Sequence, residues 1–418
     1  MGDSISIKGD ESPNNAGYNQ GSFLADHLIS QLKAVANNPD LLKGASDAQI
    51  HEFRRYSTEA AEGLEKDFEM LRRINFSPLR LVVPRLAQQH GIFEMLINAN
   101  GRPVTLGELS EATQITSFVL EVVMDYLCTQ RWAQQVGSEE YAATKFSHRF
   151  MEPSFRDGMS HFHDNVYQPW AYMRKAMREP LPARTAFQMG YDTDDDFYEY
   201  LGCEKKKAER EAFHRFMKSY ASGLPLWLSV VDFEAEFGRG LTDGEVAFVD
   251  VGGGNGQQCE ALKAKHPGLP GRVILQDRPE ALSAALDVPG MEKMVYDYHT
   301  EQPIRDARVY YFRFIFHNND DETSVQILRS QLPAMGPNSA LVIDDKVLPD
   351  DKLAPYEPGA EASAGLSLTM KTLFNTVERR ENHWRRMLRG SGLVVRDIRW
   401  YTDFSDAVII LGNDVEVE

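Results

Sequence analysis

Between Val246 and Gly256 the chain reads Val-Ala-Phe-Val-Asp-Val-Gly-Gly-Gly-Asn-Gly. These residue types can seat a polar small molecule against bare main chain. An apolar run interrupted only by Asp250 has the pattern of a fully buried parallel strand. Gly252, Gly253, Gly254 and Gly256 then break it, and a Cβ at such a turn would block close approach of a ligand. Glu260–Lys265 follows with helical character, so strand, turn and helix form half of a nucleotide-binding βαβ unit. Asp277 lies about twenty residues beyond the glycines, at the end of the next strand, where an acid can accept from ribose hydroxyls. Asp297 ends a third strand and can accept from an adenine amino group. Arg278 and Tyr298, next to these acids, complete this set of cofactor candidates. Position 257 is Gln, so the turn lacks the third glycine of a dinucleotide fingerprint. Acid followed by glycines suits S-adenosylmethionine instead, whose aminoacyl end and sulfonium favour polar, acid-flanked backbone over a phosphate cradle.

These residues need a sheet to hold them, and from Glu245 onward strand and helix patterns alternate. Strands are expected at Val246–Val251, Arg272–Gln276, a short segment ending Val295-Tyr296-Asp297, Ala307–Phe316 and Ala340–Ile343. Gly392–Trp400 and Ser405–Leu411 read as a closing antiparallel pair. Such alternation specifies an α/β, doubly wound, Rossmann-like domain over 241–418.

The preceding chain is helical. Residues 1–20 are rich in Gly, Ser, Asn and Asp and are expected to be a disordered leader. Phe23–Leu71 carries two helical patterns separated by Asn37-Asn38-Pro39-Asp40, either a dimer arm or an ordinary helical cap. Leu81–Leu96 reads as one helix. Thr105-Leu106-Gly107-Glu108 is a capping box, and Val119, Val122, Val123, Tyr126 and Leu127 share one face of a further helix. A hairpin from Trp132 to Ala142 completes a winged helix-turn-helix, giving a helical and winged-helix domain over 21–150. Its recognition-helix position, Phe118–Leu127, carries Glu121 and Asp125 and neither Lys nor Arg, so the reading is structural. Residues 151–240 form a helical connector rich in aromatic and Met side chains, including Phe162, Trp170, Phe197, Phe213, Phe216 and Met217. They are either core or the roof of a pocket.

The net charge of −17, from 45 basic against 62 acidic residues, argues against a nucleic-acid or anionic-membrane surface. No apolar run has transmembrane length, and the polar N-terminus lacks signal-peptide character. Three scattered cysteines without metal spacing fit reduced thiols and a cytoplasmic enzyme.

From about Phe76 to Leu411 the chain resembles the plant- and fungal-type small-molecule O-methyltransferases. The matching stretches are 249–256 (Val-Asp-Val-Gly-Gly-Gly-Asn-Gly), 275–280 (Leu-Gln-Asp-Arg-Pro-Glu), 310–317 (Tyr-Tyr-Phe-Arg-Phe-Ile-Phe-His), 343–349 (Ile-Asp-Asp-Lys-Val-Leu-Pro) and 368–375 running into Glu378-Arg379. The resemblance implies a winged-helix dimerisation domain, a class I methyltransferase domain, a homodimer and S-adenosylmethionine as cofactor, with S-adenosylhomocysteine as product. It implies His317 as the base that deprotonates a phenol or enol, flanked by Asp345 and Glu378. It also implies Arg313 beside the cofactor, and Met217, Met370 and Phe374 in the pocket.

Three departures stand out. Asn318-Asn319 replaces the usual Asp-Trp, Phe314 replaces a frequent Arg, and Lys346 stands where a small or apolar residue is common. A pocket-facing Lys346 is an electrophilic handle or an acid; otherwise it is salt-bridged to Asp344 or Asp345. A second expectation follows from the branch of fungal methyltransferase-like proteins that dehydrate and cyclise polyketide–amino acid hybrids with the cofactor unconsumed. There Lys346 would polarise a carbonyl and His161 or His163, with Trp170 nearby, would line the pocket. A third, a regulatory winged-helix protein with vestigial cofactor binding, runs against the acidic balance and the retained His317, Asp345 and Glu378.

Overall fold

The computed structural model describes residues 14–178, 183–222, 226–283 and 285–413, with the side chains of 14–20 and 220–222 left out. The chain divides into two compact units, residues 1–72 and 73–418. In the first, helix α1 (Asn14–Asn37) and helix α2 (Asp47–Gly63) flank a 3-10 turn at Pro39–Leu42. Ser46 and Gln49 form a capping box at the start of α2. Residues 14–20 of the expected leader are therefore helical, and 1–13 lie outside the described residues. None of the described side chains in this unit is buried. A helix α3 (Asp67–Phe76) runs across the division.

The second unit opens with α4 (Leu79–Gln89) and α5 (Ile92–Asn98), two helices where the sequence suggested one. Gly91, at φ +70°, is the break. Strand β1 (Val104–Thr105), α6 (Leu106–Thr113), α7 (Ser117–Thr129), β2 (Ala133–Gly137) and β3 (Glu140–Ala143) follow. The three strands pair in the order β1-β3-β2. The Thr105–Glu108 capping box forms as expected, with the Thr105 N–H donating to Glu108 at 2.7 Å. Helices α8 (Lys145–Met151) and α9 (Pro153–His161) lead into a π-helical turn, Phe162–Tyr167. Beyond it, α10 (Phe197–Gly202) and α11 (Lys207–Ser222) complete the connector ahead of the main sheet.

Seven strands make the main sheet: β4 (Val246–Val251), β5 (Arg272–Asp277), β6 (Met291–Val295), β7 (Val309–Arg313), β8 (Ala340–Lys346), β9 (Leu393–Trp400) and β10 (Asp406–Asn413). Their order is β6-β5-β4-β7-β8-β10-β9, with β10 antiparallel to both neighbours and the rest parallel. The order reverses beside β4, and ligands of open α/β sheets bind outside the carboxyl ends of strands at such a point. Helices α12 (Gln257–Lys265), α13 (Asp321–Gln331) and α15 (Glu381–Leu388) cover this sheet, while α14 (Ala360–Phe374) packs against the connector. One face packs Val249, Phe312, Ile343 and Ile409 against Trp384; the other packs Phe248, Tyr311, Val342 and Val408 against Trp227. This alternation decides which strand-end side chains meet. No helix among the described residues is long and apolar enough to cross a membrane.

Candidate active site

At the end of β4 the glycine turn folds over its own acid. A Cβ on Gly253 would lie 2.3 Å from the Asp250 carboxyl carbon, and Gly252, Gly254 and Gly256 take φ of +68°, +60° and +83°. Asp250 is fully buried; one oxygen accepts from the Cys259 thiol at 3.7 Å and the other, Oδ1, has no hydrogen-bond partner. Burial, with Asp277 nearby, pushes its carboxyl up to about 7. Asp277 at the end of β5 accepts from the Gly254 N–H at 2.8 Å and the Arg278 N–H at 2.7 Å, so it holds the turn. Arg278 is exposed. Asp297 is exposed too and accepts from the His299 N–H at 3.0 Å, shaping its own loop. The half-buried Tyr298 borders the turn, its ring 3.6 Å from a Cβ built on Gly252.

Arg313 ends β7 on the same sheet face as Asp250. Its side chain is 9% exposed and its Nε is 3.5 Å from Asp344 Oδ2. None of its three guanidinium nitrogens has a hydrogen-bond partner. Asp344 is already occupied, accepting from the hydroxyls of Tyr311 and of Tyr401, the latter at 2.6 Å. Buried polar groups are nearly always paired, so a guanidinium with open donors beside a carboxylate with an open oxygen fits a zwitterion. The aminoacyl end of S-adenosylmethionine has that charge pattern.

The opposite face carries His317. β7 stops at Arg313 rather than Phe316, because Phe314 has φ +51°. A 3-10 turn, Phe316–Asn318, then presents His317. Its Nδ1 is 3.0 Å from Oε1 of Glu378, whose side chain is buried. Its backbone N–H donates to Asp345 Oδ2 at 3.1 Å, and Asp345 Oδ1 accepts from the Lys346 N–H at 2.9 Å. The three side chains converge, their ligand-type atoms lying within 4.8 Å of one another. That set could also hold a divalent ion, but His317 Nδ1 is already spent on Glu378. Because a carboxylate only accepts, Glu378 keeps the proton on Nδ1 and leaves Nε2 with a lone pair. Burial opposes charge on the imidazole, but Glu378 and Asp345 outweigh it and raise the His317 pKa above 6.5. Burial pushes the Asp345 carboxyl up to about 7, against the pull of His317.

The residues that fix this turn were not singled out from sequence. Arg379 donates to the carbonyls of Phe316 and Asn319, each at 2.6 Å, and pairs with Asp321 at 2.9 Å. The Thr376 hydroxyl donates to the His317 carbonyl at 2.5 Å. Both lie within two residues of Glu378, which was the available signal. The Asn318-Asn319 departure also works on the loop: Asn318 donates to Phe314 O and to the Tyr198 hydroxyl, each at 3.1 Å, and Asn319 to Ile315 O at 2.7 Å.

Lys346 departs from expectation. It pairs with neither Asp344 nor Asp345. Its ammonium is 2.8 Å from Asp406 Oδ1, an ion pair rather than an aligned hydrogen bond, and donates to Phe404 O at 2.8 Å. Strand alternation is the reason: Asp345 joins the His317 face, while Lys346 falls on the other, directly across from Asp406 in the β8–β10 register. The side chain is 2% exposed.

The connector supplies an aromatic cluster. His161 is buried among Phe162, Phe197, Phe213 and Phe216, with ring centroids at 5.0 to 5.9 Å. Its Nδ1 is 3.3 Å from Asn165 Nδ2, a partner one helical turn on. Phe197 also meets Phe374, Tyr198 stacks on Phe374 at 5.6 Å, and Trp170 and Met370 pack in the same cluster. Tyr198, through Asn318, ties this cluster to the His317 turn. Met217 on α11 is half-buried. His163 goes elsewhere: its Nδ1 is 2.7 Å from Asp164, which Arg85 also holds, and it lines a separate polar cavity of about 690 Å³ with Arg156 and Arg215.

Burial lowers the His161 pKa to about 4. Between about pH 6.5 and 4 the unfolded chain takes up a proton that the folded chain refuses, so stability falls as pH falls through that window. The expected loss is about 3 kcal/mol, absent in His161→Phe, and denaturant titrations at pH 7 and pH 4.5 measure it.

A doubly wound sheet with a glycine turn over an acid, and an oriented histidine at the end of the neighbouring strand, defines a class I methyltransferase architecture. The chain belongs to the O-methyltransferase family: residues 198–394 match its O-methyltransferase domain. Methyltransferase cfoC of Aspergillus candidus is 31% identical over 320 residues, covering 74% of this chain and 77% of that one. O-methyltransferase lepI of Aspergillus flavus is 29% identical over 355 residues, covering 82% and 89%. Among solved structures, one described as a pericyclic reaction enzyme superimposes with TM-score 0.80 at 25% identity, covering 93% of this chain and 100% of that one. OxaC in complex with SAH and oxaline shares the fold at TM-score 0.80 and 20% identity, covering 94% and 100%.

Proposed function

We propose that this protein is an S-adenosylmethionine-dependent O-methyltransferase acting on a phenol or enol hydroxyl of a fungal-type secondary metabolite, with His317 as general base. The observation that carries the reading is the His317 Nδ1–Glu378 contact at 3.0 Å on a turn whose main chain is pinned by Asp345. A hydroxyl is a weak nucleophile near neutral pH, and a base within hydrogen-bond reach is what its methylation requires. Nε2 takes the hydroxyl proton, Glu378 stabilises the imidazolium so formed, and Asp345 keeps the turn from relaxing. When bound, S-adenosylmethionine supplies an electrophilic methyl on its sulfonium. Arg313 and Asp250 hold the charged aminoacyl end, and Asp277 the ribose hydroxyls. The aromatic cluster of Phe162, Phe197 and Phe374, with Tyr198 at its edge, suits a flat, apolar acceptor.

Arg313→Met is expected to weaken S-adenosylhomocysteine binding by about 10- to 100-fold, the scale of a charged hydrogen bond, as read by titration calorimetry. Helices α1 and α2, which expose Leu24, Leu28, Ile29, Phe53 and Tyr56, support a homodimer in which a second copy covers these side chains.

A second reading, a pericyclase that binds but does not consume the cofactor, draws support from the likeness to the pericyclic reaction enzyme and from Asn318. It loses Lys346 as its polarising group and leaves the His317–Glu378 pair without a task. Incubation with S-adenosylmethionine and a panel of phenolic and enolic polyketides or pyridones separates the two. Release of S-adenosylhomocysteine with a methyl's gain in mass supports transfer. An isomeric or dehydrated product with the cofactor intact overturns it.

A further inference from the structure

Phe314 is held in a backbone conformation that an aromatic residue avoids. Among the described non-glycine residues at positive φ, the others are polar or charged apart from Tyr356. In β7 the side chains of Tyr310 and Phe312 enter one apolar face while Tyr311 and Arg313 take the other. A continued strand would send residue 314 into the core with Phe312. The left-handed kink at φ +51° prevents this and leaves Phe314 half-buried at the site. Two hydrogen bonds hold the kink: Phe314 N–H to Asp344 O at 3.1 Å, and Asn318 Nδ2 to Phe314 O at 3.1 Å. The ring so placed lies 5.2 Å from the His317 ring, tilted by 31°, and the Arg313 guanidinium carbon is 5.2 Å from its centroid.

We propose that Phe314 is a positioning residue for the general base: its ring sets the imidazole plane opposite Glu378 and stabilises the positive charge that His317 acquires. The proposal rests on the reading of His317 as base and adds a residue to it. Persistent backbone strain at a site marks a conformation the surroundings over-determine, and here the side chain it delivers touches the imidazole. An aromatic ring face attracts a cation through its quadrupole. The charged groups around His317 are Glu378 at Nδ1, Asp345 below its main chain, Arg379 on the adjoining carbonyls and Arg313. The two carboxylates favour the imidazolium. Arg379 and Arg313 oppose it, and the Phe314 ring touches both Arg313 and the imidazole.

The test is a ring-signal NMR titration of the full-length protein carrying ¹³C-labelled histidine, with the His317 resonance assigned by its loss in His317→Asn. The wild-type midpoint is expected above 6.5. In Phe314→Leu, which keeps bulk and removes the ring face, it should fall by about half to one pH unit, while Phe314→Tyr retains the wild-type value. Phe314→Gly relieves the left-handed strain, so it should melt no lower than wild type and still show the lowered midpoint. Midpoints unchanged to within about 0.1 unit in the Leu and Gly variants would overturn the proposal. So would a Phe314→Gly protein that melts lower with its midpoint intact, since the ring would then be packing alone. Loss of the base reading itself would show differently, as methyl transfer surviving in His317→Ala.

Discussion

His317→Ala is expected to lower the methyl-transfer turnover by about 10² to 10⁴-fold while leaving S-adenosylhomocysteine affinity near wild type. The size follows from what is lost, since the acceptor hydroxyl would have to give its proton to water. The pH profile should carry the same signature. The base must be neutral, so kcat/KM rises with pH through the His317 pKa, which the carboxylates of Glu378 and Asp345 raise above 6.5. Glu378→Gln removes one of those charges and should move the midpoint down. Stability runs the other way. A histidine whose folded pKa is raised contributes stability that is complete below the unfolded value and disappears as pH rises through the folded one. His161 is the opposite case, costing stability only on acidification. The two buried histidines therefore pull stability in opposite directions on either side of about pH 6.5. A His317→Ala enzyme with unimpaired transfer would sink the base assignment.

The second large effect concerns Lys346. Lys346→Met is expected to destabilise the fold by about 3 to 5 kcal/mol, because it strands the buried Asp406 carboxylate in the sheet. Lys346→Met combined with Asp406→Asn should recover much of this, the coupling expected of residues in contact. Guanidinium unfolding of the two single variants and the double variant measures it. A Lys346→Met protein as stable as wild type that had lost conversion of its substrate would return this residue to the pocket.

Lys346 also shows where sequence reasoning runs short. The glycine turn is legible because its ingredients are contiguous: a buried run, an acid, then residues without Cβ. The base position is legible through the matching stretches around His317, Asp345 and Glu378, although nothing local distinguishes that histidine. Which acid faces Lys346 is a matter of strand register. Asp406 meets it only because β10 inserts antiparallel beside β8, a long-range pairing with no local signal. Backbone breaks were hidden for a related reason. Gly91 divides an amphipathic run that reads as a single helix, and Phe314 ends β7 although Phe, Ile and Phe continue a good strand pattern. The open guanidinium of Arg313 was invisible as well, since being unpartnered depends on every neighbour, including two tyrosines that satisfy Asp344 first.

The ties around residues 316–324 bear on how the enzyme ages. The amide of His317 donates to a fully buried carboxylate, and Arg379 bonds two carbonyls of the turn and the side chains of Asp321 and Ser324. Such a segment is expected to lack an inexpensive local opening and to exchange its amide hydrogens with the most protected class. Heating then has no route to disable the base ahead of the fold. Inactivation and global unfolding are then expected to share one barrier, so that shelf life at a given temperature reports the unfolding rate of the whole sheet.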